Sequence, residues 1–185
     1  MIDTTAIKRY YLRYWVDRSQ AARKAAEELA KKEARPSLRD KYNAVMTLNG
    51  KRVEFKSENE KKADGDIYFT HEEAMKFFGA PELNDGWRLP TEEEFEALRD
   101  NYSYEFKDKQ GVFDNRLYLP LAGYRTSAGN VHFNVGTVGG YWSSELADNE
   151  NAWFLSLSSS GTGYFYCSRD FGFTVRLVRN INKKK

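Results

Sequence analysis

Hydrophobic and polar residues alternate on both sides of Asn49-Gly50, through residues 42–48 and again through residues 51–55. A period of two is the spacing at which one face of a β-strand is buried. Asn-Gly is a preferred pair for a tight two-residue turn, because both residues tolerate a left-handed backbone. The pattern therefore predicts two antiparallel strands joined at this turn.

Two later segments carry the signals of short helices. Thr70 and Glu73 have the spacing of a capping box, and the apolar residues that follow supply a buried side. A second helix begins at Pro90 or Thr91, because acidic residues fill the next turn, where the helix dipole favours them. In this helix we expect Phe95 and Leu98 to face inward.

The N-terminal residues 5–34 are predicted to form one long helix that ends before Pro36. Apolar and small residues recur along it at steps of three and four, in two stripes. The first stripe contains Leu12, Trp15, Ser19, Ala22, Ala26 and Leu29, and the second contains Ile7, Tyr11, Tyr14, Ala21 and Ala25. Two interpretations stay open: the helix packs on its own domain, or it docks against sister chains or a larger assembly.

Short strands separated by turns dominate the C-terminal half, at residues 117–124, 130–135, 140–144, 153–157 and 173–178. Together with two short helices they predict an α+β domain. We expect its first and last strands to be adjacent. The predicted organisation is an N-terminal helix over residues 1–36, a ligand-binding domain over residues 41–180 and a basic tail over residues 181–185.

Composition narrows the function. The chain has 185 residues, 41% of them hydrophobic, which excludes a disordered protein, and its net charge of +2 is too small for a nucleic-acid groove. No apolar run reaches the ~20 residues of a membrane span. Cys167 is the only cysteine, and His71 and His132 are far apart. We therefore expect no disulfide, no bound metal and no other cofactor. Stability must then come from burial of apolar residues such as Trp87, Leu98, Tyr141, Trp142, Trp153, Leu155 and Val175.

A polar-aromatic tract, residues 158–171, lies between two of the predicted strands. Tyrosine and phenylalanine give large contact area at low entropic cost, whereas serine, glycine and threonine adapt their hydrogen bonds, as in antibody paratopes. Because successive side chains of a strand point to opposite faces, Tyr164, Phe165 and Tyr166 cannot all be buried. By contrast, Trp142 and Trp153 have apolar neighbours and are assigned to the core, and Arg176 and Arg179 to structural salt bridges.

Four motifs occur in one order: Gly-Trp-Arg-Leu-Pro at the start of residues 86–98, Leu-Pro-Leu-Ala-Gly-Tyr-Arg at 119–125, Gly-Tyr-Trp-Ser-Ser at 140–144 and Gly-Phe-Thr-Val-Arg-Leu-Val-Arg at 172–179. The set resembles the C-type lectin-like fold of the formylglycine-generating-enzyme branch. It is most similar to Fibrobacter-type major paralogous domains and to the variable proteins of diversity-generating retroelements, which include phage tropism determinants. The resemblance implies a C-type lectin-like domain of short antiparallel strands with two flanking helices, here preceded by the long N-terminal helix.

The resemblance also implies a hypervariable ligand-binding surface. In such proteins adenine-directed mutagenesis rewrites asparagine codons near the C-terminus, and every residue of the tract 158–171 is within reach of that process. The expected anchors are Tyr164, Tyr166, Arg169 and Phe171, and we expect replacement of Tyr164 and Tyr166 to abolish binding without unfolding the domain. The full predicted surface is Phe154, Ser156, Ser158, Ser159, Ser160, Thr162, Tyr164, Phe165, Tyr166, Cys167, Ser168, Arg169, Asp170 and Phe171.

The implied partner is a protein or glycan on a cell or particle surface, with self-association through the N-terminal helix, and with neither nucleic acid nor membrane insertion. No signal peptide is evident, so we expect cytoplasmic synthesis, with assembly into a phage particle as one destination. Such a protein acts as a phage tropism determinant or a bacterial adhesin-like binder.

Other functions are less favoured. The oxidase of this branch needs a cysteine pair, and the acids Glu92, Glu93, Glu94 and Glu96 are interpreted as solvated, so we expect no enzyme activity. Calcium-dependent lectins use Glu-Pro-Asn or Gln-Pro-Asp, and neither occurs here. Residues 148–151 carry oxygen ligands but are interpreted as a polar turn. A fixed lectin-like carbohydrate-binding module or a structural assembly module remains open.

Overall fold

The computed structural model describes residues 43–126 and 132–181. These residues form eleven β-strands, two α-helices and one short 3-10 helix at Pro81–Leu83. The helices are α1 (His71–Phe78) and α2 (Glu92–Asn101). The strands are β1 (Ala44–Leu48), β2 (Lys51–Phe55), β3 (Tyr104–Lys107), β4 (Gln110–Phe113), β5 (Leu117–Pro120), β6 (Tyr124–Arg125), β7 (His132–Phe133), β8 (Val138–Leu146), β9 (Asn151–Ser158), β10 (Gly161–Ser168) and β11 (Val178–Asn180).

The strands assemble into three small antiparallel sheets, with the orders β1-β2-β11, β10-β9-β8 and β3-β4-β5, and a two-stranded β6-β7 ribbon. The C-terminal strand β11 pairs with β2, so the first and last strands belong to one sheet, but β2 lies between β1 and β11 and the predicted direct adjacency of the first and last strands is wrong. The longest strands are β8, β9 and β10, and β9 and β10 carry most of the predicted ligand surface.

The predicted fold class, an α+β C-type lectin-like domain with flanking helices and a long N-terminal helix, is wrong. The described residues are mostly β, in three small sheets, and no long N-terminal helix lies among them. Strands β3, β4 and β10 account for much of the difference. Strand β3 has only four residues, three of them exposed, and in β10 the polar-aromatic tract itself is extended. The helix predicted over residues 5–34 lies outside the described residues.

The sequence signals for the first turn and for the two helix starts were more reliable than the prediction of the fold class. The β1–β2 turn has positive φ at both Asn49 (48°) and Gly50 (75°), as a tight hairpin requires. Thr70 caps α1 by accepting a hydrogen bond from the backbone N–H of Glu73, and Thr91 caps α2 in the same way. Both caps are complete capping boxes, which satisfy backbone donors that a helix start leaves free.

Two hydrophobic clusters form the core. One joins β1, β2 and α2 to strands β4, β5, β8 and β9, and the other surrounds Trp142 beneath α1. Of the predicted core residues, Leu98, Tyr141, Trp142, Leu155 and Val175 are buried. Trp87 and Trp153 are only partly buried, so for them the prediction of a core position was too strong. No helix of the described residues is long and apolar enough to cross a membrane.

The charged residues near the ends of the sheets are fixed by specific partners. Arg179 forms the predicted ion pair, with Glu54 at 2.5 Å, and lies over the Trp87 ring. Arg176 is instead buried, where it donates to Asn59 and to two backbone carbonyls. The salt bridge predicted for Arg176 is therefore replaced by hydrogen bonds to neutral acceptors.

Glu94 departs from the predicted solvated row of acids. Its carboxylate is buried and accepts two hydrogen bonds from Arg88, at 2.7 and 2.8 Å. Arg88 also donates to the Asn180 side chain. The paired charges therefore join the start of α2 to the C-terminal strand.

Candidate ligand-binding surface

The register of β8, β9 and β10 sorts the predicted surface onto two faces. Directly opposite residues of an antiparallel pair share a face of the sheet. One row across the three strands is Tyr141, Leu155 and Tyr164. The next row, on the opposite face, is Trp142, Phe154 and Phe165. We call these the core face and the pocket face.

The pocket face contains a depression made by missing side chains. Gly140, Ser156 and Gly163 form a row of small residues across the sheet. A Cβ at Gly140 would lie 2.4 Å from the ring of Phe173, so no larger residue fits there while the ring keeps its place. The Phe165 ring covers Gly163 in the same way. The row of small residues therefore lets aromatic rings lie close to the backbone.

Aromatic rings build the walls of this aromatic pocket, which has a volume of about 240 Å³. Phe154 stacks on Phe173 with ring centroids 4.4 Å apart, and Tyr124 stacks on Phe171 at 6.1 Å. Phe165, which is 56% exposed, lies beside Phe154. The lining residues are Tyr124, Val138, Gly140, Phe154, Ser156, Cys167, Phe171 and Phe173.

The volume and chemistry of the pocket limit what it accepts. Sites for whole small molecules occupy about 300–1,000 Å³. The aromatic pocket is smaller and mostly apolar, and among the described residues no acidic or basic side chain lines it. It suits one large apolar side chain or one ring of a larger ligand.

Cys167 is part of the wall and is not activated as a nucleophile. Burial raises the pKa of its thiol to about 12, because the apolar surroundings disfavour the thiolate. At neutral pH the thiol is therefore protonated and contributes contact area.

Tyr164 lies on the core face, unlike the pocket residues. Its ring stacks on Trp153 at 4.9 Å and is close to Phe95 of α2, and its hydroxyl donates to Ser143 Oγ at 3.0 Å. Burial raises the pKa of the Tyr164 hydroxyl well above its usual value. Tyr166, on the same face, is 57% exposed. Of these two predicted anchors, Tyr166 is the more accessible.

The serines of the tract form the β9–β10 turn. Ser158 and Ser160 share a hydrogen bond between their hydroxyls, at 2.8 Å, and Ser159 is exposed. Thr162 follows on the core face, opposite Leu157. These residues lie at one end of β10.

Arg169 and Asp170 lie at the other end, about 25 Å from the turn at ~3.3 Å per strand residue. With Ser168 they border a polar cavity of about 400 Å³, whose other lining residues are Glu72, Asn149 and Glu150. Arg169 donates to the Asn149 carbonyl at 3.2 Å. The predicted surface is therefore brought together only in part: one group forms the aromatic pocket, and the two ends of β10 lie apart from it.

The polar turn at residues 148–151 is confirmed. Both oxygens of Asp148 accept hydrogen bonds from the Asn151 side chain, and one also accepts from backbone N–H groups. These contacts lower the pKa of Asp148, the side-chain hydrogen bond from Asn151 most of all.

Sequence reasoning missed half of the pocket lining: Tyr124, Val138, Gly140 and Phe173. Two signals were available. Paired glycines at 139 and 140 precede an aromatic pair, which is a mark of close approach to a strand. Phe173 is the second residue of the last motif and was not among the predicted ligand contacts, yet its ring forms a pocket wall.

No protein-family model, curated protein or solved structure matches this chain. The likeness to retroelement variable proteins therefore stays a prediction from its motifs.

Proposed function

We propose that this protein is a ligand-binding protein that displays a variable recognition surface on strands β9 and β10, like the variable proteins of diversity-generating retroelements. Receptor recognition, as by a phage tropism determinant or an adhesin, is the corresponding role. The proposal depends on the tract and the pocket and not on the fold class that was corrected above.

One observation carries the proposal. Four residues predicted as ligand contacts, Phe154, Ser156, Cys167 and Phe171, line a single aromatic pocket beside exposed Phe165. The alternate residues of β9, Leu155 and Leu157, are fully buried in the core. Substitutions at the partly exposed positions Phe154, Ser156, Cys167 and Phe171 can therefore change contacts while Leu155 and Leu157 hold the sheet in place.

The chemistry of this surface favours an apolar contact at its centre with polar contacts around it. Binding hot spots are aromatic and central, and a surrounding ring of weaker contacts excludes water. Here the rings surround the pocket, and serines of the β9–β10 turn lie beyond it. A protein partner that inserts one large apolar side chain fits this arrangement.

Deep sequencing of the gene after many generations tests the variable surface. We expect amino-acid changes at the codons of the pocket-face residues Phe154, Ser156, Phe165, Cys167 and Phe171. We expect none at Trp153, Leu155, Leu157 and Tyr164, whose replacement would disturb the core. We also expect two features near this gene: a reverse-transcriptase gene and an imperfect copy of the region that varies. An even, low frequency of changes across the gene would contradict the variability.

A display library tests the binding role separately. Randomising the codons of Phe154, Ser156, Phe165, Cys167 and Phe171 should yield clones that bind an unrelated folded protein such as lysozyme. A matched library randomises five exposed positions far along the chain: Thr47, Lys51, Arg52, Glu105 and Phe106. Equal yields from both libraries would show that the pocket face has no special capacity for recognition.

A further inference from the structure

A second surface with different chemistry lies on the core face, where β9 and β10 approach α2. The ring of Trp153 stacks on Tyr164 with an interplanar angle of 8°, and Tyr166 meets Trp153 edge-on at 5.0 Å. Trp153 is half-buried and Tyr166 is 57% exposed. Solvent therefore reaches part of a three-ring aromatic surface.

Three carboxylates lie beside these rings. Glu92 and Glu96 come from α2 and Glu145 from β8, and all three act electrostatically on the Tyr164 hydroxyl. The backbone N–H of Glu92 donates to Glu145 Oε2 at 2.8 Å, which connects the two elements. The Ser143 hydroxyl that accepts from Tyr164 also accepts from the Glu145 N–H at 3.3 Å. The acids and the rings thus belong to one continuous patch.

The patch carries an excess of negative charge. Arg88 acts electrostatically on Glu145 and Arg99 on Glu96, but each arginine is salt-bridged to another acid, Arg88 to Glu94 and Arg99 to Asp100. Within residues 43–126 and 132–181, no lysine or arginine forms a salt bridge with Glu92, Glu96 or Glu145. Partial burial raises the pKa of Glu92, and the neighbouring carboxylates Glu96 and Glu145 raise it further. Like charges held together in this way favour the arrival of a cation.

The geometry distinguishes an organic cation from a metal ion. The described residues contain no group of three or more His, Cys, Asp or Glu side chains placed to hold a metal. A guanidinium or ammonium group needs no converging ligands. It gains energy by lying over an aromatic face, with tryptophan the best of the rings, while carboxylates nearby accept its hydrogen bonds.

We propose that the patch formed by Trp153, Tyr164, Tyr166, Glu92, Glu96 and Glu145 binds an arginine side chain of a protein partner. Arginine fits better than lysine because its planar guanidinium both stacks on a ring and presents several donors at once. The proposal is independent of the variable pocket, since the patch lies on the opposite face of the sheet.

The test uses the full chain labelled with nitrogen-15 and a short probe peptide, acetyl-Gly-Arg-Gly-Arg-Gly-amide. The indole N–H resonance of Trp153, assigned with a Trp153→Phe variant, should shift and saturate as the peptide is added. The Glu92→Gln/Glu96→Gln variant should weaken the affinity about tenfold, since two charged contacts lose their Coulomb attraction. A peptide with citrulline in place of arginine has the same shape without the charge and should not bind.

A charge-matched variant serves as the control. Glu82→Gln/Glu105→Gln removes two exposed carboxylates, on the 3-10 helix and on β3, and should leave the affinity unchanged. The pocket variant Phe165→Ser should also bind the peptide normally, which separates this site from the proposed variable surface. Any of three results would overturn the proposal: no saturating shift, equal weakening in the control pair, or the same shifts produced by calcium ions.

Discussion

Gly140 and Gly163 occupy equivalent positions on the two sides of Ser156, yet their surroundings differ. In both, an added Cβ would lie 2.4 Å from a phenylalanine ring carbon. At Gly140 the ring is that of Phe173, which is only 4% exposed, whereas at Gly163 it is that of Phe165, which is 56% exposed. A buried ring cannot move away without disturbing its neighbours, but an exposed ring can rotate into solvent.

We therefore predict that Gly140→Ala lowers the free energy of unfolding by about 1–3 kcal/mol, as overpacking of a core does. Gly163→Ala should change it by less than about 0.5 kcal/mol, the usual range for surface substitutions. Urea denaturation of the two variants measures both values. Similar losses in the two proteins would show that the Phe165 ring is as firmly held as Phe173.

Tyr164 and Phe165 are adjacent in sequence but lie on opposite faces of the sheet. Tyr164 packs on Trp153 and Phe95, whereas Phe165 projects from the pocket face. We predict that Tyr164→Ala destabilises the protein by about 2–3 kcal/mol, as truncation of a largely buried aromatic ring does. This differs from the expectation drawn from the sequence, where loss of Tyr164 was to affect binding alone.

Two further variants separate the stability contributed by the Tyr164 hydroxyl from that contributed by the Phe165 ring. Tyr164→Phe removes only the hydrogen bond to Ser143 and should cost about 1 kcal/mol. Phe165→Ala should cost less than about 1 kcal/mol, because its ring is already largely in water. Thermal or urea unfolding ranks the three variants by their loss of stability. A larger loss of stability for Phe165→Ala than for Tyr164→Ala would contradict the assignment of these rings to the two faces of the sheet.

At the scale of elements, His71 joins α1 to the three-stranded sheet β10-β9-β8, which we call the recognition sheet. It is buried, its Nε2 donates to the Ser143 carbonyl at 3.1 Å, and its backbone N–H donates to the Arg169 carbonyl. Nδ1 has no hydrogen-bond partner among the described residues. Burial lowers the pKa of His71 from 6.5, and the nearby Arg169 charge lowers it further, whereas the hydrogen bond to Ser143 opposes the shift.

A pH dependence of stability follows from this shift. The unfolded chain takes up a proton near pH 6.5, but the folded protein does so only at lower pH. The stability is therefore fully present above pH 6.5 and is lost as the pH falls toward the folded pKa, by at most about 1.4 kcal/mol per pH unit. The difference in unfolding free energy between the wild type and His71→Gln should narrow from pH 7.5 to pH 5.5. A constant difference would show that His71 does not titrate in this range.

Elements differ in how well their sequences predicted them. The Asn49-Gly50 turn and the two helix caps depend on residues within three positions of each other, and these were found. The β3–β4 hairpin was missed because its turn, Asp108-Lys109, has positive φ at residues that carry only a weak turn signal. Strand β10 was missed because the successive residues Phe165 and Tyr166 are both exposed, so the strand lacks the regular alternation of buried and exposed positions.

At the scale of the whole molecule, distant segments meet at the recognition sheet. The last motif places Phe173 and Thr174 against β8, where Thr174 Oγ1 donates to the Gly140 carbonyl at 2.7 Å. Tyr124, from the β6–β7 ribbon, stacks on both Phe133 and Phe171. The pocket therefore takes lining residues from β6, from β8 and from the segment after β10, and cannot form from the β9–β10 hairpin alone.

The sequence by itself determined the local features: where the caps and the first turn lie, that the tract 158–171 is rich in contact residues, and that alternate residues of β9 are apolar. These features depend on the properties of neighbouring residues. Only the tertiary structure decided which face each ring of the tract occupies, because that follows from the register of β10 on β9. It also decided that Tyr124 and Phe173 complete the pocket and that Glu145 joins the acids of α2, since packing between residues far apart in sequence has no local signal.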